Sequence, residues 1–202
     1  MFEWLDYAFM TRALVATTVL SFSVTPIGIF LVLRRMSLAG EAMAHAIVPG
    51  IVIAFVVAGL TMGSMVIGGL IAGVTVAALT SLLARATIIR EDASLASLYL
   101  IALALGIFIL SAAGSAVPLK SFLFGSILGI DDESLIMLGV TATVTLVSFA
   151  LIFRSLIIKT IDPIFHESQF KHSGFVAHWF MFLVVLNPVS YTHLRAHETS
   201  LH

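Results

Sequence analysis

Long apolar stretches separated by short polar gaps dominate the chain. They run through Ala13–Leu33, Ala46–Leu60, Met65–Ala84, Leu95–Ala113 and Leu135–Phe153, and a shorter stretch begins at Phe175. A helix needs roughly 20 residues to cross the hydrocarbon core of a bilayer, and fewer where flanking residues snorkel or the membrane thins. The pattern therefore predicts an all-α, polytopic transmembrane helical bundle with about five complete spans and a partial sixth.

The composition agrees with this prediction and excludes several other classes of protein. Apolar residues make up 60% of the 202 residues and charged residues only 10%, whereas soluble domains are about a quarter charged. The absence of cysteine excludes disulfides, thiolate metal ligands and thiol catalysis. A net charge of −1 argues against nucleic acid as a partner and leaves membrane lipid as the surroundings.

The basic residues predict the orientation of the spans. Seven of them follow the first, third and fifth spans, and two fall in the other gaps. The seven are Arg34, Arg35, Arg85, Arg90, Arg154, Lys159 and Lys171, and the two are Arg12 and Lys120. Because cytoplasmic loops are enriched in Lys and Arg, we expect the first group in the cytoplasm and the N-terminus outside.

The end of the chain differs from the rest. The apolar run from Phe175 to Asn187 is short for a span, and the sequence from Pro188 onwards is polar and holds three of the seven histidines. A His-rich tract can bind metal, but the string over 190–199 resembles translated sequencing-adapter sequence. We therefore expect one C-terminally truncated membrane domain over residues 1–187 and a non-native tail over 188–202.

Small residues line one face of the third span. Gly68, Gly69 and Gly73 lie on that face, and Gly69 and Gly73 have the GxxxG spacing that lets helix backbones approach closely. We interpret this face as helix packing inside one subunit, in preference to a dimerisation signal.

The segment with the clearest chemistry follows the first span. Residues 34–50 read RRMSLAGEAMAHAIVPG and place Glu41 and His45 four residues apart, on one face of a helix. Strongly polar side chains are costly in lipid and usually mark a pathway or a binding site, and carboxylate with imidazole suits divalent transition metals. Pro49 cannot donate to the carbonyl of His45 and clashes with it, so a broken turn with a free carbonyl is predicted.

A structural interpretation of the same two residues stays open at this point. Glu41 would cap the positive end of the second helix, and His45 would be a satisfied histidine at the membrane interface.

This segment resembles a family signature. From Arg34 through Ala46 it matches the R-x-M-S-x-x-G-[DE]-x-x-x-H-A pattern of the permease subunits of ABC importers for zinc, manganese or iron(II). Residues 120–129 (KSFLFGSILG) and 162–169 (DPIFHESQ) resemble two further family segments, S-[YF]-L-F-G-x-[IL]-L and D-P-x-F-A, with His166 where alanine is usual. The resemblance implies a type II ABC-importer-like permease domain over 1–187, with Glu41 and His45 on the metal path.

The resemblance also implies partners. The chain has no G-x-x-x-x-G-K-[ST] phosphate-binding loop, so a separate cytoplasmic ABC ATPase subunit would supply the energy. An extracytoplasmic metal-binding protein would deliver the ion, and a second permease copy would complete a homodimer with the path between the copies. The chain would be a transport subunit in the plasma (inner) membrane of a prokaryote, not an enzyme. It would hold no permanent cofactor, with Zn, Mn or Fe as the transported ion.

The segment after the fifth span predicts the contact with that ATPase. Asp162 suits an N-cap and Pro163 the first helical position, so a short helix is expected there. By resemblance, the ATPase-coupling loop comprises Asp162, Pro163, Ile164, Phe165 and Glu167. The alternative is an ordinary capped helix at the membrane interface.

Two other functions use the same residues. An ion-gradient-driven metal carrier would need no ATPase. An intramembrane metalloenzyme would need an H-E-x-x-H helix or an equivalent cluster, whereas the order here is Glu-x-x-x-His without an evident third ligand. Carboxylate and imidazole without cysteine suit Mn, Fe(II) and Zn alike.

Overall fold

The computed structural model describes residues 8–59, 61–113, 132–169 and 173–196. The helices in these ranges are α1 (Ala8–Leu33), α2 (Ala39–Ala46), α3 (Val48–Ala58), α4 (Met62–Ala86), α5 (Glu91–Ala112), α6 (Asp132–Ile161), α7 (Pro163–Gln169) and α8 (Ser173–Ala196). The family-like segment over 120–129 and the end of the tail, 197–202, lie outside the described residues.

Five segments of the described chain are long and apolar enough to cross a membrane. They are Phe9–Leu33, Ala39–Ala58, Gly63–Ala86, Glu91–Ala112 and Ser134–Ile161. The second of these consists of two helices, α2 and α3, joined at Ile47. The predicted all-α, five-span bundle is confirmed, and α8 contributes a shorter apolar helix over Gly174–Val189.

Several helices extend further than their apolar runs. The second span begins at Ala39, before the predicted Ala46, and α6 continues past Phe153 to Ile161. α8 passes through Pro188, and Val189 is only 2% exposed in the core. Hydropathy detects the part of a helix that suits lipid, whereas polar turns at either end still form backbone hydrogen bonds. A proline removes only one such bond and is tolerated in membrane helices.

Glycines let α4 pack closely against the second span and against α8. A methyl group placed on Gly50 of α3 would collide with the carbonyl oxygen of Gly68 on α4. A methyl on Gly73 would meet Ile47 at 3.0 Å, and one on Gly69 would meet Val189 of α8 at 3.6 Å. The small-residue face of the third span thus packs inside the subunit, as predicted.

An aromatic cluster joins α1, α6 and α8. The Phe30 ring lies 5.4 Å from Phe149, 5.9 Å from Phe153 and 6.3 Å from Phe180, measured between centroids, in edge-on arrangements. The Arg34 guanidinium carbon lies 5.4 Å from the centroid of the Phe180 ring. Burial lowers the pKa of Arg34 below its ordinary value, and the nearby charge of Glu91 partly opposes this shift.

Two kinds of hydrogen bond satisfy most of the polar side chains within the described spans. Most hydroxyls bond to their own helix, as Thr80 does at 2.8 Å from the Val76 carbonyl. Asn187 of α8 instead reaches across to α6, where its Nδ2 donates to Thr145 Oγ1 at 3.2 Å. Both residues are buried, so this bond fixes α8 against α6 within the apolar interior.

Candidate functional site

The second span is interrupted next to its two polar residues. α2 ends at Ala46, α3 begins at Val48, and Ile47 joins them with φ −78° and ψ −18°. The break is confirmed, and Pro49, which has no amide to donate, is its cause. The Ile47 amide donates to the Met43 carbonyl at 3.3 Å. The free carbonyl of His45 stays a prediction.

α2 is oriented by its apolar face. Ala42 and Met43 are buried, at 3% and 0% exposed, where α2 packs against α5 and α8. With this face inward, Glu41 is exposed and His45 is half-buried. Both belong to one regular helix and stand four positions apart, so the spacing that places them on a common side is present.

The surroundings of the pair leave both side chains open to a ligand. The imidazole of His45 lies beside Tyr99 of α5, with 6.3 Å between ring centroids and 31° between the planes. Across the described ranges, neither Glu41 nor His45 takes part in an ion pair or a side-chain hydrogen bond. Sequence reasoning missed Tyr99, because its distance from His45 along the chain carries no periodic signal.

The pair is not part of a larger cluster in the described chain. Within these ranges, no group of three or more His, Cys, Asp or Glu side chains lies close enough to hold a metal ion. Glu41 and His45 thus bring one carboxylate and one imidazole to this helix, fewer groups than a complete metal site needs.

A cavity begins beside the broken turn. It has a volume of about 650 Å³ between α3, α4 and α5, and Ala46 and Pro49 form part of its wall. Its lining is apolar apart from Ser64 and Thr75. The hydroxyls of these two residues bond to carbonyls of their own segments, at 2.8 Å and 2.7 Å. The cavity offers packing surface for apolar groups and no charged ligand for an ion.

The predicted short helix after the fifth span is confirmed. α7 begins at Pro163, and the Phe165 amide donates to Asp162 Oδ1 at 2.9 Å, the N-cap bond expected of this aspartate. Ile164 is 82% exposed and Phe165 51% exposed. The short helix therefore presents apolar side chains to its surroundings.

The opposite side of α7 contains a residue that sequence reasoning did not use. His166 is fully buried, and its Nε2 lies 2.7 Å from Ser155 Oγ on α6. Sequence reasoning missed this contact because it ended the fifth span at Phe153, before Ser155. Continuing the helical spacing past Phe153 would have placed Ser155 on the helix that α7 follows.

The family of this chain is settled by comparison of the whole sequence. The sequence model of the ABC 3 transport family matches residues 6–192. The chain belongs to the ABC 3 transport family. The permease resembles "Manganese import system permease protein ScaB" of Streptococcus parasanguinis, with 30% identity over 197 residues, 97% of this chain and 68% of that protein.

Other relatives extend the likeness. "Manganese transport system membrane protein MntC" of Listeria monocytogenes is 27% identical over 92% of this chain and 65% of its own length. "Chelated iron transport system membrane protein YfeC" of Yersinia pestis is 28% identical over 78% of this chain and 52% of its own length. Among solved structures, PsaBC from Streptococcus pneumoniae in complex with Fab superposes with a TM-score of 0.78 and 27% identity, covering 94% of this chain and 69% of that chain.

These likenesses establish the class of the protein. It is a multi-pass membrane permease of an ABC importer for divalent transition metal ions, a transport subunit and not an enzyme. Membership of an ABC transport family implies a separate ATPase and a substrate-binding protein as partners. It also removes the reason to consider a gradient-driven carrier or an intramembrane metalloenzyme.

Proposed function

We propose that Glu41 and His45 bind the metal ion as it passes through this permease, and that α7 couples the passage to a cytoplasmic ABC ATPase. The observation that carries the first part is the pair of unpartnered polar side chains on one short helix at a proline-broken turn. Broken helices of this kind serve ion sites in transporters, because irregular backbone is tolerated only where it lines a cavity or protein interior.

We propose manganese or iron(II) as the transported ion, with zinc as the alternative. The curated relatives named above are manganese and iron systems, and a carboxylate with an imidazole is a ligand set for such divalent ions. No resident cofactor is proposed, since the metal ion is the substrate.

We propose that the path lies between two copies of the permease. Glu41 is exposed at the surface of the subunit, which suits a ligand shared across an interface better than one enclosed within a single subunit. An extracytoplasmic metal-binding protein would deliver the ion to this path. The location is the plasma membrane of a prokaryote, with the N-terminus outside.

Uptake of radioactive manganese by cells tests the metal site. Glu41→Ala and His45→Ala are each expected to abolish uptake while the permease still inserts into the membrane, because each removes one ligand of the passing ion. Gly139→Ala is the control, since Gly139 lies in α6 and a methyl group there meets nothing within 4 Å. Wild-type uptake in either ligand variant would contradict the assignment.

Recovery of the ATPase with the purified permease tests the coupling helix. Ile164→Asp places a charge on the exposed apolar side of α7 and is expected to release most of the ATPase. Ile88→Asp is the control, because Ile88 is also an exposed isoleucine and lies in another gap predicted to be cytoplasmic. Equal ATPase recovery with both variants would favour an ordinary interfacial helix.

A further inference from the structure

We propose that His166 is a positioning residue that makes α7 move as one body with α6. This inference rests on the proposed coupling role of α7. Without such a link, a helix pushed by an ATPase would turn about its connection to the membrane domain and transmit little of the movement.

The covalent link between the two helices is short. α6 ends at Ile161, Asp162 is the single residue between the helices, and α7 begins at Pro163. The Asp162 amide donates to the Ile158 carbonyl at 2.8 Å, and the Asp162 carbonyl accepts from the His166 amide at 3.1 Å. These bonds connect α7 to the end of α6, and they leave the angle between the two helices to be set by a second contact.

The hydrogen bond between Ser155 and His166 supplies that second contact. The bond of 2.7 Å joins the two helices away from their junction at Asp162. Two separated points of attachment fix the angle between two rigid helices, whereas one leaves it free. An isolated helix as short as α7 is unstable in water, so its position depends on this attachment. The imidazole is fully buried, which protects the bond from competition by water.

α6 is in turn fixed to other helices. Asn187 of α8 bonds to Thr145 on α6, and Phe149 of α6 packs edge-on against Phe30 of α1. α8 also packs against α2, the helix that carries Glu41 and His45. Movement of α6 therefore has a continuous packed route to the proposed metal site.

The test measures metal transport and ATP hydrolysis together in the permease assembled with its ATPase and reconstituted into liposomes. His166→Ala is expected to retain the ATPase and hydrolyse ATP, while the number of ions transported per ATP falls about tenfold, within the usual range of coupling free energies. Ser155→Ala should cause a similar fall, and the double variant should be no worse than either single one. His166→Gln, which keeps a polar group able to bond to Ser155, should restore most of the ratio.

The control is Ser168→Ala. Its hydroxyl also lies on α7, and among the described residues it bonds to the Phe165 carbonyl of the same helix at 2.8 Å, so the ratio of ions to ATP should not change. An unchanged ratio in His166→Ala would overturn the proposal, and so would loss of the ATPase from the complex, because the contact would then serve docking. If His166→Ala does not fold, Ser155→Ala decides in the same way.

The two proposals fail differently. If Ile164→Asp retains the ATPase, α7 is not the docking helix, and the coupling role on which this inference depends is lost. If Ile164→Asp releases the ATPase and the assembled His166→Ala and Ser155→Ala complexes transport with an unchanged ratio, only the inference about His166 fails.

Discussion

Replacing Gly50 by alanine is expected to separate α3 from α4. The new methyl group would collide with the Gly68 carbonyl oxygen and lie 2.6 Å from the Cβ atom of Ala72. Backbone and Cβ atoms of a helix cannot rotate away as the end of a long side chain can, so one helix must shift. Overpacking usually costs about 1–3 kcal/mol, and we place this contact near the upper end, at about 3 kcal/mol.

Part of that cost is offset. Removing a glycine from a helix interior stabilises the helix by up to about 1 kcal/mol. The net loss of unfolding free energy is then about 2 kcal/mol, which corresponds to a melting temperature lower by roughly 4–8 °C for a domain of this size.

Thermal unfolding in detergent, followed by circular dichroism, measures this difference. Gly139→Ala is the matched control, because Gly139 is also helical and a methyl group there meets nothing within 4 Å. It should melt at the wild-type temperature or slightly above. If Gly50→Ala and Gly139→Ala have the same melting temperature, the added methyl group on Gly50 does not disturb the contact between α3 and α4, and the reasoning is refuted.

Two further predictions concern packing and orientation. Thr145→Val removes the acceptor of the Asn187 bond and should lower the free energy of unfolding by about 0.5–1.5 kcal/mol. Thr143→Val is the control and should lower it less, because the exposed Thr143 hydroxyl bonds within α6. Equal losses in the two variants would show that the bond between the helices does not contribute to stability. Because the chain has no native cysteine, Ile88→Cys offers one thiol, and an impermeant maleimide should label it in inside-out vesicles and not in intact cells. Labelling in intact cells would contradict the proposed orientation, because it would place residue 88 outside the cell.

The parts of this protein that could be predicted from sequence are those set by neighbours along the chain. The number of spans follows from the apolar runs, the break in the second span from Pro49, and the start of α7 from Asp162. The spans depend on about 20 consecutive residues, and the break and the helix start each depend on residues within about one helical turn. Their physical causes, desolvation, a missing amide and an N-cap bond, operate locally.

The contacts between helices could not be predicted in the same way. The bond of Ser155 to His166 and the placement of Tyr99 beside His45 join different helices. Such contacts depend on how far each helix extends and how it is rotated in the bundle. Hydropathy underestimates the length of each helix because the polar turns at its ends are still helical. Nearly uniform apolar faces give little indication of how each helix is rotated about its axis.

The brevity of α2 determines where the affinity of the proposed metal site is controlled. An eight-residue helix does not hold its shape alone, so the distance and angle between Glu41 and His45 depend on how the buried Met43 packs in the core. Substitutions that never touch the ion, in the walls of α5 and α8, should therefore retune selectivity among divalent ions. Evolution of a new metal preference in this scaffold can proceed through its packing while both ligands remain unchanged.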